Sequence, residues 1–168
     1  ATGKVVNISD AIGYPMFVES YDKPAPAPAY GIAGWTADGN NVFLYDAYDW
    51  WKIDLTGERQ PECLTKGYGR KHGKSIRKMT SNIDKDVFQK DEKVIVSLWD
   101  KDTMDEGVYQ LDMKGRLRKL MEGNYVYTIH RFSDNHEYCV WNRQNVSEFR
   151  DLWWSKSDFS NSVKVTNA

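Results

Sequence analysis

Trp35-Thr36-Ala37-Asp38-Gly39-Asn40-Asn41-Val42-Phe43-Leu44-Tyr45 is the stretch on which the reading of this chain turns. An aromatic closes one extended run, a polar turn follows with Asp three residues on, and a β-branched and aromatic strand leaves the turn. Asp38-Gly39 is a strong hairpin signal, because glycine accepts the positive φ that such turns require. Downstream, Asp49-Trp50-Trp51-Lys52-Ile53-Asp54-Leu55-Thr56-Gly57 reads as an aromatic-rich strand with a second tight turn, and Glu62-Cys63-Leu64-Thr65 as a short fourth strand.

The same grammar recurs twice. The second copy runs Phe88 to Ser97, then Gly107-Val108-Tyr109-Gln110-Leu111-Asp112-Met113-Lys114-Gly115, then Leu117-Arg118-Lys119-Leu120. The third runs Phe132 to Trp141, then Asp151-Leu152-Trp153-Trp154, then Val163-Lys164-Val165-Thr166. Trp35, Phe88 and Phe132 read as equivalent buried positions, spaced 53 and then 44 residues apart. Periods of about 40–50 residues with four strands each are the spacing of propeller blades. A β-sandwich also has short strands at hairpin spacing; the tandem order favours blades. The expected fold is all-β, a partial β-propeller of about three four-stranded antiparallel blades, at approximately 31–66, 75–122 and 123–168.

Residues 1–30 read as an extended N-terminal segment. Lys23-Pro24-Ala25-Pro26-Ala27-Pro28-Ala29 alternates proline with alanine, which favours polyproline II geometry and a stiff spacer draped over the blades. The prolines lack the PxxP spacing of an SH3 ligand. Ser81 and Asp84 stand at capping-box spacing, so residues 81–87 read either as a capped helical turn or as a loop.

The 168 residues carry 23 basic and 24 acidic side chains, 7 Trp, 10 Tyr and 6 Phe. So aromatic a chain is not disordered, and one of this length buries about 70% of its unfolded surface. A net charge of -1 argues against a nucleic-acid partner, and no apolar run is long enough to span a membrane. Cys63 and Cys139 read as two buried free thiols, with one long-range disulfide or an exposed reactive thiol as alternatives.

Catalytic signals are missing. No GxSxG elbow occurs, and His72, His130 and His136 accompany no nucleophile signature. Gly73-Lys74-Ser75 lacks the earlier glycine of a phosphate loop. His130, Asp134 and His136 fit no familiar metal spacing. The expectation is therefore no catalytic, cofactor-binding or metal-ligating residue and no cofactor. Residues 66–78 hold six basic and no acidic side chains; they read as a solvated inter-blade loop, with contact to an acidic surface or a peptide carboxylate as the alternative. Trp50-Trp51 and Trp153-Trp154 stand at corresponding places, and strand alternation sends one of each pair into the core and the other outward. Asn7-Ile8-Ser9 and Asn145-Val146-Ser147 match glycosylation sequons, at a frequency chance supplies.

Several longer strings resemble bacterial serine peptidases of the S9, prolyl-oligopeptidase and dipeptidyl-peptidase-like family: Tyr21 to Gly39, Asp49 to Asp54, Gly67-Tyr68-Gly69-Arg70-Lys71, and Val146 to Trp153. The resemblance is to the family's non-catalytic propeller and spans nearly the whole chain. It implies a propeller of seven or eight blades that gates and selects peptide substrates for a separate α/β-hydrolase domain carrying Ser, Asp and His. This chain departs from the full pattern: it has no hydrolase domain, about three blades, and no Glu-Glu dipeptide of the kind that holds a substrate amine. No functional residue transfers. The expectation is a fragment, not an enzyme by itself, whose partners are the hydrolase domain, the remaining blades and peptide substrate, and which is periplasmic or exported if the resemblance holds. Such a fragment would self-associate through bare blade faces or recruit residues 1–30 to cover one. The alternative is a stand-alone propeller-like module that binds protein or ligand.

Overall fold

The computed structural model describes residue 3, residues 5–79 and residues 86–167. The first meander comprises β1 (Ile32–Thr36), β2 (Asn41–Tyr45), β3 (Trp50–Asp54) and β4 (Glu62–Cys63). Its first turn is built as the sequence implies. Gly39 has φ 71, Asp38 accepts the Asn40 N–H at 3.0 Å, and the Asn41 N–H donates to Thr36 Oγ1 at 3.0 Å. The second meander comprises β5 (Lys74–Lys78), β7 (Lys93–Asp100), β8 (Glu106–Asp112) and β9 (Leu117–Gly123), and β6 (Val87–Phe88) interrupts it in sequence. The third comprises β10 (Val126–Phe132), β11 (Tyr138–Gln144), β12 (Asp151–Lys156) and β13 (Val163–Lys164). Each is antiparallel in chain order. A single helical turn, α1 (Tyr68–Lys71), joins the first two. The chain is all-β, in three four-stranded propeller-type blades.

Three sequence expectations are corrected here. The run ending at Phe88 does not open the second blade. β5 fills that slot beside β7, and β6 instead adds parallel to β1, Trp35 opposite Val87 and Thr36 opposite Phe88. Gly34 permits this, since a Cβ there would lie 2.5 Å from the Asp86 carbonyl oxygen and 2.6 Å from the Phe88 ring. The three aromatics are therefore not equivalent: Phe88 is buried, Phe132 is half-buried, and Trp35 is 37% exposed. Residues 66–78 are not simply a loop either, because they form α1 and then β5. Of the proposed helical turn over 81–87, residues 81–85 lie outside the described residues, and Val87 belongs to β6.

The blades stack face on face. Phe43, Tyr45 and Trp50 of the first meet Ile76, Val96, Leu98 and Leu111 of the second, with Phe88 wedged in. Side chains alternate along a strand, so β7 and β8 send Ile95 and Val108 the other way, onto Tyr127, Ile129 and Trp141 of the third blade. The outer face of the first blade, Val42, Leu44, Trp51 and Ile53, is covered by Ile8, Ile12 and Met16 of the N-terminal segment. That segment doubles back before β1: Phe17 bridges Ala29, and the Tyr30 N–H reaches the Met16 carbonyl at 3.0 Å. Among the described residues nothing covers the far face of the third blade in this way. There Tyr138, Val140, Leu152, Trp154 and Val163 are 37–47% exposed. The whole chain exposes 10442 Å², against roughly 8,500 Å² for a compact chain of this mass.

Candidate functional site

A dense polar cluster lies where the first blade hands over to the second. Asp46 and Asp49 bracket the short loop between β2 and β3, and both are buried. Asp46 accepts the N–H groups of Tyr48 and Asp49 at 2.6 Å, the Trp51 Nε1–H at 3.0 Å and Arg70 Nη2 at 2.9 Å. Burial pushes its carboxyl up, but the Asp49 and Tyr48 N–H groups, Trp51 and Arg70 outweigh that and hold it below the usual carboxylate range. Asp49 accepts the Thr65 hydroxyl at 2.6 Å and the N–H groups of Gly69 and Arg70 at 2.9 and 3.0 Å. Gly69 is required here, because a Cβ would sit 2.7 Å from the carbonyl oxygens of Tyr48 and Lys74.

Two arginines complete the junction. Arg70 lies 3.6 Å over the Tyr14 ring, which ties the N-terminal segment to the cluster. Arg77 donates to the carbonyls of Ile76 and Asp46, each at 2.7 Å, beside the rings of Tyr45 and Tyr30. Burial draws the Arg77 pKa down. Both carboxylates are saturated with donors from their own fold, so neither is poised as a base or nucleophile. What the cluster can do is lock the turn between blades and fix the N-terminal segment on it. Asp46 was missed in sequence, and Arg77 was read only as one cation of the basic run 66–78. The available signal was Asp46-Ala47-Tyr48-Asp49, since an Asp that caps its own loop N–H groups is an Asx-type turn.

The other sequence candidates separate. Half of the six cations of the basic run are paired with carboxylates: Arg70 with Asp46, Lys74 with Glu122 and Lys78 with Asp86, each at 2.9 Å. His72 rests on the Tyr68 ring at 4.4 Å and His136 on Phe132 at 6.3 Å, while His130 Nε2 lies 2.6 Å from Asn142 Nδ2. Among the described residues no three His, Cys, Asp or Glu side chains gather as a metal site. Cys63 is half-buried and Cys139 buried, and both are free, so the disulfide alternative falls. Burial raises both thiols above their ordinary value. Asn145 accepts the N–H groups of Ser147 and Glu148 and donates to the Asn124 carbonyl, which makes it a turn residue.

The tryptophan pairs alternate as expected, offset by one residue. Trp50 is wholly buried and donates to the Ile76 carbonyl at 3.2 Å, while Trp51 lies under the N-terminal segment. In the third blade Trp153 stacks on Trp141 at 5.5 Å, and Trp154 lies on the bare face against Tyr138. Asn41 pairs Asp54 and Tyr138 pairs Lys156, so the structural counterpart of Trp153 is Trp51. The same register makes Asp151 the counterpart of Asp49. Asp151 accepts the Thr166 hydroxyl at 2.8 Å, as Asp49 accepts that of Thr65.

No family model matches the chain, and no curated protein matches it. Among solved structures, a candidate TolB from Agrobacterium tumefaciens is similar over 79% of this chain and 47% of its own, with 15% identity and a TM-score of 0.45. The chain spans about half the length of that structure.

Proposed function

We propose that this chain is a non-catalytic propeller segment that binds protein or peptide, and specifically part of the gating and substrate-selecting propeller of an S9-like serine peptidase. In this reading residues 1–30 form a leader on the first blade, and the blades occupy about 31–66, 75–122 and 123–168. The observation that carries it is the bare far face of the third blade. Apolar patches of that kind mark surfaces that are covered in use, and here the natural cover is a further blade of the same peptidase. The α/β-hydrolase domain would supply the serine chemistry, and the parent would be periplasmic or exported.

The test is chemical and genetic together. The purified chain should hydrolyse no peptide or ester and take no serine-directed fluorophosphonate label. The coding sequence beyond Ala168 should encode more blades and then GxSxG, Asp and His. Stoichiometric labelling of a serine in this chain overturns the non-catalytic reading, and a stop codon after Ala168 overturns the peptidase. One observation favours the stand-alone binding module instead: the first blade is already capped by its own chain, as the end unit of a self-contained array would be.

A further inference from the structure

At the outer edge of the second blade, the turn after β6 and the turn between β8 and β9 enclose a groove of about 330 Å³. Lys90, Lys93, Lys114 and Arg116 line it, with Asp91, Asp112 and Met113. The two carboxylates do not neutralise the four cations. Asp112 is consumed by its own turn: it accepts the N–H groups of Lys114 and Arg116, each at 2.9 Å, and pairs with Arg116 Nε at 2.6 Å. Asp91, with Glu92 beside it in the same turn, is left to face Lys90, Lys93 and Lys114, none of which has a carboxylate partner among the described ion pairs. Three cations of the inter-blade run, Arg70, Lys74 and Lys78, are paired with carboxylates, whereas Lys90, Lys93 and Lys114 stand together at this groove without such a partner.

The groove is also held in shape. Gly115 has φ 79 and packs so close to the Leu64 carbonyl that no side chain fits there. The opposite turn is pinned by the Gln89 N–H on Glu92 Oε2 at 2.8 Å. A preorganised site loses less on binding.

We propose that this groove binds an acidic peptide segment. The cations come from two separate turns that flank the groove, so they suit several carboxylates along a chain better than one compact anion. Met113 offers apolar contact for side-chain methylenes. The lining has no aromatic ring to stack a base, which disfavours single-stranded nucleic acid. The inference is independent of the peptidase reading.

The test is fluorescence anisotropy of the full chain with a labelled octaglutamate peptide at low ionic strength, about 0.02 M, where screening is weak. Octaglutamate should bind, and binding should fade toward about 0.3 M salt. A Lys90→Glu, Lys93→Glu, Lys114→Glu variant, shown folded by circular dichroism, should bind at least about tenfold more weakly, because attractions become repulsions. Hydrogen exchange should slow at residues 88–93 and 112–116 on binding. No binding to octaglutamate overturns the proposal. So does binding that the folded triple variant keeps, and so does competition by inorganic phosphate or an oligonucleotide at lower concentration than octaglutamate.

Discussion

The first and third blades share one device and differ in what covers them. In both, an Asp opening the third strand holds a Thr just beyond the fourth: Asp49 with Thr65, Asp151 with Thr166. In both, that Thr hydroxyl also receives the next strand N–H, from Trp50 at 3.1 Å and from Leu152 at 2.9 Å. In the first blade the clasp is buried, continues into Gly69 and Arg70, and lies beside a face sealed by Ile8, Ile12 and Met16. In the third the Thr is exposed and the neighbouring face is bare. The second blade has Gly107 at the clasp position, where a Cβ would meet the Tyr109 ring at 2.6 Å. Its edge is tied instead by Glu122, which takes Lys74, Lys119 and Tyr109. One repeat thus closes its outer strand by two chemistries, and its stability depends on what lies against it.

The largest effect should come from Trp50, buried between two blades against Phe43, Tyr45 and Phe88. Trp50→Ala should cost about 3–5 kcal/mol in urea unfolding, while Trp154→Ala on the bare face costs under about 1 kcal/mol. Equal losses would mean that the third blade's face is covered in solution.

The N-terminal cover comes next. Ile12→Ala should cost about 2 kcal/mol, the low end for a buried Ile, because this site is one layer deep. A change below about 0.5 kcal/mol, the level of an ordinary surface substitution, would show that the segment contributes nothing to the first blade.

The two clasps should then differ. Thr65→Val leaves the buried Asp49 and the Trp50 N–H short of a partner and should cost about 1–3 kcal/mol. Thr166→Val, where water can replace the hydroxyl, should cost under about 1 kcal/mol. Thermal melts that reverse this order would break the equivalence of the blades.

The smallest effect is the pH dependence that one carboxylate of the second blade contributes. Hydrogen bonds from Lys74 and Lys119 hold the Glu122 carboxyl down at about 2, from an ordinary 4.5. A carboxylate depressed on folding adds stability above its ordinary value, and that stability is lost as pH falls toward the folded pKa. Glu122→Gln should therefore flatten the acid limb of the stability profile between pH 4.5 and about 2. An unchanged limb would locate the acid sensitivity elsewhere.

How far the fold could be read without coordinates shows at particular residues. The stretches opening at Asp49, Gly107 and Asp151 were legible as equivalent strands, because strand period and glycine-bearing turns are local chemistry, but matching Trp50-Trp51 with Trp153-Trp154 was one residue out of register. Phe88 was misplaced for the same reason. Its turn has the local grammar of a blade opening, and nothing nearby in sequence announces that β5 already fills the slot. The Asp46–Arg70 and Asp46–Arg77 contacts were illegible because their partners lie 24 and 31 residues apart.

The sequence by itself determined the strand period, the turns and the three tandem meanders, since these follow from backbone sterics and the spacing of apolar side chains. It also determined that no nucleophile elbow is present. Only the tertiary structure decided which aromatic lies inside, which cations remain unpaired and which blade face stays open. Those properties depend on what packs against a residue from far along the chain, and burial and ion pairing are set by that neighbour rather than by the residue's own type.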